Sequence, residues 1–207
     1  MKFPARGLYA ITQTDNKAIA TLLREVEQVL SGGAVVVQYR DKNPQNARLL
    51  ASELVKLCHQ YHAPLIINDD VELALQVAAD GVHLGKEDGA VAHARQRLGN
   101  DAIIGVSCYN SVDRAIAAQR DGADYVAFGR FFTSSSKPLA APADINTLHE
   151  AKRVLTVPIV AIGGILPDNG GQLLNAGADL LAVIGGVFTA QPEQSARAYQ
   201  VLFENHV

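Results

Sequence analysis

The sequence predicts a single (β/α)8 TIM barrel over residues 1–207, and three observations lead to this fold class. Short β-rich runs alternate with helical stretches along the chain, eight such runs are present, and glycine-containing turns recur where a helix gives way to a strand. An open doubly wound sheet would need only about five or six strands, so eight strand-helix units favour a closed barrel. A chain of 207 residues suits one such domain, since α/β barrels of about 200–250 residues are ordinary.

The predicted strands are short and almost continuously apolar, as expected for parallel strands covered by helices. In chain order they are Leu8 to Thr12, Val35 to Arg40, Leu65 to Asn68, Gly81 to Leu84, Ile103 to Ser107, Tyr125 to Gly129, Ile159 to Gly163 and Leu180 to Ile184. The segments between them carry apolar residues at i, i+3 and i+4, which gives each predicted helix one apolar face.

Glycines at four helix-to-strand junctions predict a repeated turn. Gly33, Gly81, Gly122 and Gly177 stand at these points, and glycine accepts the left-handed conformation that often ends a helix. The connections are short except for residues 133–142, which are rich in Ser, Pro and Ala. A longer loop in a compact domain is often functional.

Composition and charge exclude several classes of protein. A net charge of −3 and a pI near 6.0 give no general attraction to nucleic acid or to an anionic membrane. No apolar stretch is long enough to span a bilayer, and the N-terminus lacks the apolar core of a signal peptide. The sequence therefore predicts a cytoplasmic protein, in which Cys58 and Cys108 are reduced core residues.

Two carboxylates follow neighbouring strands at the end where barrel enzymes form their active sites. Asp69 follows the third strand and Asp88 follows the fourth. Such a pair would suit Mg²⁺, which usually takes one or two protein carboxylates and completes its shell with water and phosphate oxygens. The alternative is that each aspartate only caps the next helix, since residues 69–72, Asp-Asp-Val-Glu, resemble a capping box.

Basic side chains follow the second and sixth strands. Gln38 and Arg40 share the inward face of strand 2, and Lys42 continues that line into the loop. Four hydroxyl residues at 133–136 lead to Lys137. Together with a metal ion, these groups could neutralise a diphosphate, although a surface pair of Arg40 with Asp41 and an ordinary serine-rich loop are the simpler alternatives.

Paired glycines follow the last two strands and predict a second anion site. Gly163 and Gly164 follow strand 7, and Gly185 and Gly186 follow strand 8. Barrel enzymes frequently hold a phosphate group at this place, on backbone N–H groups. The alternative is that the glycines serve tight turns only. Two phosphate subsites would imply two phosphorylated substrates.

Taken together, the motifs resemble the thiamine-phosphate synthase family over nearly the whole chain. The resemblance is carried by the motifs Leu8-Tyr9-Ala10-Ile11-Thr12, Gln38-Tyr39-Arg40-Asp41-Lys42, Asn68-Asp69-Asp70, Gly81 to Asp88, Gly105-Val106-Ser107, Gly129 to Lys137 and Ile162-Gly163-Gly164-Ile165. It implies an enzyme that condenses 4-amino-5-hydroxymethyl-2-methylpyrimidine diphosphate with 4-methyl-5-(2-hydroxyethyl)thiazole phosphate. The products would be thiamine phosphate and diphosphate, and the cofactor Mg²⁺.

The resemblance also implies a role for each site residue. Asp69 and Asp88 would hold Mg²⁺, and Gln38 would bind the aminopyrimidine. The remaining residues are Arg40, Lys42, Asn68 and Lys137 for the diphosphate, Ser107 near the leaving group, Ser134 and Ser136 in the loop, and the amides around Gly164, Ile184 and Gly185 for the thiazole phosphate. The expected catalytic set is Arg40, Lys42, Ser107 and Lys137. Thr133 replaces a usual proline and Gly185 a common serine.

Three other functions remain open from the residues alone. A thiazole tautomerase has similar phosphate loops, a phosphosugar isomerase or epimerase could use the glycine loops, and a non-catalytic sensor could bind thiamine intermediates. His83 could contact substrate or be a structural residue, so it stays outside the catalytic set. A homo-oligomer is compatible with the sequence.

Overall fold

A computed structural model describes residues 1–14, 17–42, 45–85, 90–133 and 142–205, and it confirms the predicted barrel. Eight parallel strands close in sequence order, with β8 paired to β1. The strands are β1 (Gly7–Ile11), β2 (Ala34–Tyr39), β3 (Leu65–Asn68), β4 (Gly81–Leu84), β5 (Ile103–Tyr109), β6 (Tyr125–Gly129), β7 (Ile159–Ile162) and β8 (Leu180–Val183). The helices are α1 (Ile19–Ser31), α2 (Ala47–Gln60), α3 (Val71–Val77), α4 (Ala90–Leu98), α5 (Val112–Arg120), α6 (Ile145–Val154), α7 (Gly170–Asn175) and α8 (Pro192–Asn205).

The strand bounds agree closely with those predicted. β3, β4 and β6 have the predicted ends, β1 and β2 are shifted back by one residue, and β7 and β8 each end one residue earlier. β5 is longer than predicted and runs on to Tyr109 through an irregularity in its pairing with β6. β7 ends at Ile162 because Gly163 takes a φ of +106°, which leaves the extended region.

The core has two parts, as expected for a barrel wrapped by helices. The inner part fills the barrel with side chains such as Tyr9, Ile66 and Tyr125, and Phe3 stacks on the Tyr125 ring with centroids 3.9 Å apart. The outer part lies between strands and helices, where α1 buries Leu22, Val26, Val29 and Leu30. The apolar face predicted for this helix is therefore confirmed.

The repeated helix-to-strand turn is confirmed at three of its four predicted positions. Gly33, Gly122 and Gly177 all have positive φ, between +96° and +112°. The expectation for Gly81 is wrong: the left-handed residue after α3 is Ala78, with a φ of +52°. Gly81 lies inside β4, where a Cβ atom would overlap the carbonyl of Ile103 on β5.

Three aspartates tie pairs of strands together at the amino-terminal edge of the barrel, and we call them the aspartate clamps. Asp80, Asp124 and Asp179 directly precede β4, β6 and β8. Their carboxylates accept a hydrogen bond from the backbone N–H of Leu65, Ile104 and Ile159 on the strand before, at 2.7–2.9 Å. In each pair of residues the aspartate N–H also donates to the carbonyl of the same partner, so the N-terminal ends of β3–β4, β5–β6 and β7–β8 are bonded in both directions.

Each clamp also has a basic partner on the helix that precedes the clamped pair. His59 of α2 lies 2.9 Å from Asp80, and Arg95 of α4 lies 2.8 Å from Asp124. Lys152 of α6 pairs with Asp179 in the same way. The contact therefore repeats in three consecutive pairs of strand-helix units, those of β3–β4, β5–β6 and β7–β8.

Both cysteines are free and buried, as predicted. Burial raises the pKa of the Cys58 and Cys108 thiols to about 12, so the reactive thiolate is scarce near neutral pH. Neither cysteine is suited to act as a nucleophile. Across the described ranges, no helix combines the length and the apolar character that crossing a bilayer requires.

Candidate active site

The site lies at the carboxyl ends of the strands, where the polar members of the strand motifs come together. Gln38 ends the inward face of β2 and is 2% exposed. Asn68 ends β3 and pairs in register with His83 of β4, whose ring contacts Ser107 of β5 at 2.9 Å. The structure thus brings together four polar side chains that the sequence places on four separate strands.

Asp69 does not cap a helix, so the structural alternative for this residue is wrong. Asp70 is the N-cap of α3, and its carboxylate accepts a hydrogen bond from the Leu73 N–H at 2.8 Å. Asp69 instead has a φ of +62°, and its N–H donates to the His83 carbonyl at 2.8 Å. A left-handed aspartate is uncommon, and such conformations cluster at functional sites.

The Asp69 carboxylate is exposed at the mouth and fits a hard cation. It accepts a hydrogen bond from the Asn68 amide at 2.7 Å, and a Cβ atom on Gly85 would lie 3.8 Å from its Oδ1 atom. The chain therefore leaves β4 beside Asp69 and leads towards Asp88, which lies outside the described residues. An exposed carboxylate oxygen is a suitable ligand for Mg²⁺. No group of three or more metal-ligating side chains occurs in the described ranges.

Arg40 and Lys42 follow β2, which is paired with β3, the strand that leads to Asp69. The backbone of Arg40 is held in both directions by Thr12, whose hydroxyl accepts from the Arg40 N–H at 2.9 Å and donates to its carbonyl at 3.2 Å. Within the described part of the chain, neither basic side chain forms an ion pair with a carboxylate. The predicted alternative of a surface pair between Arg40 and Asp41 is thus not observed.

Three predicted loop residues, Ser134, Ser136 and Lys137, lie outside the described residues, as Asp88 does. Their neighbour Thr133 is described and is exposed. It lies at the rim of the cavity formed by the loops after β7 and β8.

The glycine loops form a cavity of about 220 Å³ at the opposite side of the mouth. Its lining residues are Thr133, Ile162, Gly163, Gly164, Ile165, Leu166, Ala182, Val183, Ile184, Gly185 and Gly186. Among the described residues, no turn or loop hydrogen bond occupies the amides of Gly164 and Gly185. Backbone N–H groups at such a place can bind a phosphate.

Gly164 and Gly185 differ in how strictly the position requires glycine. Gly164 has a φ of +64°, and a Cβ atom there would overlap the Thr133 carbonyl and lie 2.9 Å from Phe132. At Gly185 a Cβ atom would meet only the Gln13 side chain, at 3.8 Å. The first glycine is needed for close packing of the loop after β7, whereas the second could carry a side chain.

A chain of hydrogen bonds crosses the barrel interior beneath the mouth. The Gln38 amide lies 2.8 Å from the Tyr9 hydroxyl, which lies 2.8 Å from the Tyr125 hydroxyl. His83 joins the Tyr125 hydroxyl through Nδ1 and the Ser107 hydroxyl through Nε2, both at 2.9 Å. We call these five residues the interior chain.

Comparison with known proteins identifies the family. The profile described as "Thiamine monophosphate synthase" matches residues 8–187. This chain belongs to the thiamine-phosphate synthase family. The thiamine-phosphate synthase of Azoarcus sp. is 53% identical over 201 residues, covering 96% of this chain and 97% of its own. That of Nitrosococcus oceani is 50% identical over 200 residues, covering 96% and 92%.

Among solved structures, a thiamine phosphate pyrophosphorylase from Pyrococcus furiosus superposes with a TM-score of 0.87, at 32% identity and with 98% of both chains covered. The predicted family, reaction and enzyme class of this chain are therefore confirmed. The relatives' names favour the synthase over the tautomerase, the isomerase and the sensor.

Three residues near the site were given no role by sequence reasoning, although Tyr9 and Gly105 belong to its motifs. Tyr9 and Tyr125 lie inside the barrel, and Gly105 lies opposite Tyr125 in the register of β5 and β6. The period of two along each strand could have placed both tyrosines on the inward face together with Gln38 and His83. Their mutual contacts could not be read, because they depend on the stagger of strands around the closed barrel.

Proposed function

We propose that this thiamine-phosphate synthase works by dissociative loss of diphosphate from the pyrimidine substrate, with Mg²⁺ as cofactor, followed by capture by the thiazole nitrogen. The observation that supports the proposal is that basic side chains and a glycine-lined cavity follow strands of one barrel mouth. Arg40, Lys42 and Asp69 follow β2 and β3, and the glycine cavity follows β7 and β8. One mouth can therefore hold a diphosphate and a phosphate monoester at the same time.

The chain's own residues bind and orient the pyrimidine diphosphate. Arg40 and Lys42 donate charged hydrogen bonds to the diphosphate oxygens, assisted by the amide of Asn68. Gln38, buried at the base of the mouth, accepts a hydrogen bond from the exocyclic amine of the ring. Lys137, with Ser134 and Ser136, is expected to close over the same diphosphate from the loop after β6, as the sequence predicts.

Asp69 and Asp88 are the residues that would hold Mg²⁺. When bound, the ion supplies positive charge to the diphosphate and so makes it a better leaving group. The left-handed backbone of Asp69 turns its carboxylate to the open mouth rather than to the first turn of α3, where Asp70 accepts the cap hydrogen bond.

The reaction needs no protein nucleophile. The carbon–oxygen bond breaks with its electron pair leaving on diphosphate, and the electron-rich aminopyrimidine supports the resulting cation. The Ser107 hydroxyl donates a hydrogen bond to the departing oxygen, and the ring nitrogen of the thiazole then forms the new carbon–nitrogen bond with its lone pair. Stabilisation of developing charge is the main catalytic contribution.

The thiazole phosphate occupies the glycine cavity, where the amides around Gly164, Ile184 and Gly185 bind its phosphate. Gly185 offers a backbone donor only, where many relatives would add a serine hydroxyl. This subsite fixes the thiazole ring near the pyrimidine, so that capture of the cation is a reaction between two held partners. We further propose that the substrates are these two small molecules and that the enzyme acts in the cytoplasm, where its free thiols stay reduced.

The test is to supply the purified chain with both substrates and Mg²⁺ and to measure thiamine phosphate and diphosphate in parallel. We expect equal amounts of both products, and no turnover when a chelator removes the metal. A control reaction without thiazole phosphate shows whether diphosphate is lost to water. Binding of both substrates without any product would contradict the proposal and support the sensor.

A further inference from the structure

The donor and the acceptor of each hydrogen bond in the interior chain can be assigned, because every hydroxyl in it has only one hydrogen to donate. Gln38 turns Nε2 towards the Tyr9 oxygen, so Tyr9 is the acceptor in that bond. The remaining partner of the Tyr9 hydroxyl is Tyr125, which must therefore receive its hydrogen. Tyr125 in turn donates to Nδ1 of His83.

The same assignment of donors and acceptors extends through His83 to Ser107, the last residue of the interior chain. Because Nδ1 of His83 accepts, the ring carries its hydrogen on Nε2, and Nε2 donates to the Ser107 hydroxyl oxygen, 2.9 Å away. The hydrogen of Ser107 is left to point into the mouth. At the other end, the Oε1 atom of Gln38 is left as an acceptor.

Two features hold this arrangement in place. Tyr9 and Tyr125 are fully buried, and burial raises the pKa of both hydroxyls, so each keeps its hydrogen. Gly105 leaves space for the interior chain, because a Cβ atom at this position would overlap the Tyr125 hydroxyl. No buried side-chain polar atom in the described residues lacks a hydrogen-bond partner. Exchanging donor and acceptor in one bond of the interior chain therefore requires the same exchange in the others.

We propose that the interior chain determines substrate specificity by coupling its two ends: with Gln38 presenting an acceptor, Ser107 presents a donor. This inference rests on the proposed function. The acceptor matches the 4-amino group of the pyrimidine, and the donor matches the diphosphate oxygens. Tyr9, Tyr125 and His83 are positioning residues, which act through the interior chain and decide which way the Gln38 amide faces.

The reversed direction describes a site for a different ligand. If Gln38 presented Nε2 to the mouth, donor and acceptor would exchange in every hydrogen bond of the interior chain. Ser107 would then have to donate to His83. Such a site would fit a 4-oxopyrimidine and would offer no hydroxyl donor to diphosphate. The interior chain thus selects against a pyrimidine analogue that differs from the substrate by one hydrogen-bonding group.

The experiment measures the dissociation constants of the 4-amino and 4-oxo pyrimidine diphosphates by calorimetry, with Mg²⁺ and without thiazole phosphate. In Tyr125→Phe, the Tyr9 hydrogen loses its acceptor, and the Gln38 amide turns to supply Oε1. We expect the preference for the amino compound to fall at least about tenfold, since matched hydrogen-bonding groups carry the discrimination. The ratio of the two constants is insensitive to a partly unfolded fraction, which affects both ligands equally.

Tyr199→Phe is the matched control. Tyr199 is also buried, but its hydroxyl donates to the Ile165 carbonyl at 3.0 Å, away from the interior chain, so the ratio should stay at the wild-type value. Tyr9→Phe is the second variant if Tyr125→Phe does not fold, and it should lower the ratio in the same direction.

The outcomes separate this inference from the proposed function. A wild-type ratio that persists in both Tyr125→Phe and Tyr9→Phe would overturn the inference alone, provided that the wild-type protein forms thiamine phosphate. Wild-type protein that binds neither pyrimidine diphosphate would overturn the proposed function and the inference with it.

Discussion

Gly105 and Tyr125 face each other across β5 and β6, and the phenol of Tyr125 occupies the space that a Cβ atom on Gly105 would need. The absence of a side chain on one strand therefore creates the place for the central hydroxyl of the interior chain. The glycine of the Gly105-Val106-Ser107 motif is explained by this contact.

Gly105→Ala should destabilise the protein by about 1–3 kcal/mol, because overpacking a filled core forces neighbouring groups to move. Chemical denaturation followed by circular dichroism measures the free energy of unfolding. Gly99→Ala is the comparison, since Gly99 has a φ of +88° but open space around its Cβ position. An effect no larger at Gly105 than at Gly99 would mean that the barrel interior adapts to the methyl group.

Asp69→Asn should abolish most metal-dependent turnover, whereas Asp70→Asn should leave it within about twofold. The first removes a charged ligand from the proposed Mg²⁺ site. The second keeps an N-cap residue on α3, since asparagine caps helices about as well as aspartate. Initial rates of diphosphate release, measured over a series of Mg²⁺ concentrations, distinguish the two. Equal rates for both variants would remove Asp69 from the metal site.

Gly164→Ala should raise the KM for thiazole phosphate at least about tenfold, because the alanine would overlap the Thr133 carbonyl at a positive φ. Gly185→Ser should be tolerated and should lower that KM, since a side chain fits there and the hydroxyl adds a phosphate donor. Steady-state kinetics with the pyrimidine substrate saturating gives both values. A higher KM in Gly185→Ser would show that the backbone alone fits the phosphate.

Asp80→Ala should lower the free energy of unfolding by about 1–3 kcal/mol, because it leaves the buried N–H of Leu65 without its acceptor. Asp121→Ala is the control, as Asp121 is exposed and pairs only with its neighbour Arg120 among the described residues. The activity of the folded fraction should be unchanged, since Asp80 lies at the end of the barrel opposite to the mouth. A loss of turnover per folded molecule would contradict that separation.

The fold could be predicted because its signals are local. Each strand is a short apolar run and each turn carries a characteristic residue, so β3, β4 and β6 were bounded correctly from the sequence alone. Gly81 shows the limit of that method. The position requires glycine because the Ile103 carbonyl on the next strand lies too close for a Cβ atom. A local sequence pattern does not predict such a contact between strands.

The same limit applies to the candidate site: positions along a strand could be predicted, whereas the local backbone conformation could not. Gln38 and Arg40 follow from their position at the end of β2, and Ser107 follows from the family resemblance. The structure was needed to show that Asp70, and not Asp69, caps α3. Both aspartates satisfy the sequence pattern of a cap. The roles of all the predicted site residues, those of Asp88 and Lys137 among them, stay predictions.

The aspartate clamps reinforce three pairs of neighbouring strands, which we treat as units of hydrogen bonding at the amino-terminal edge. β3–β4, β5–β6 and β7–β8 are each joined at their amino-terminal ends by a bidirectional pair of bonds, so opening one member of a pair disrupts the other. Asp69 belongs to the β3–β4 unit, Ser107 and Tyr125 to the β5–β6 unit, and the phosphate cavity to the β7–β8 unit. The junctions β2/β3, β4/β5 and β6/β7 carry backbone hydrogen bonds at the same edge, such as that from the Ile103 N–H to the Asp80 carbonyl. The clamps therefore reinforce alternate junctions of one continuous sheet, and the three subsites stay mechanically linked through it.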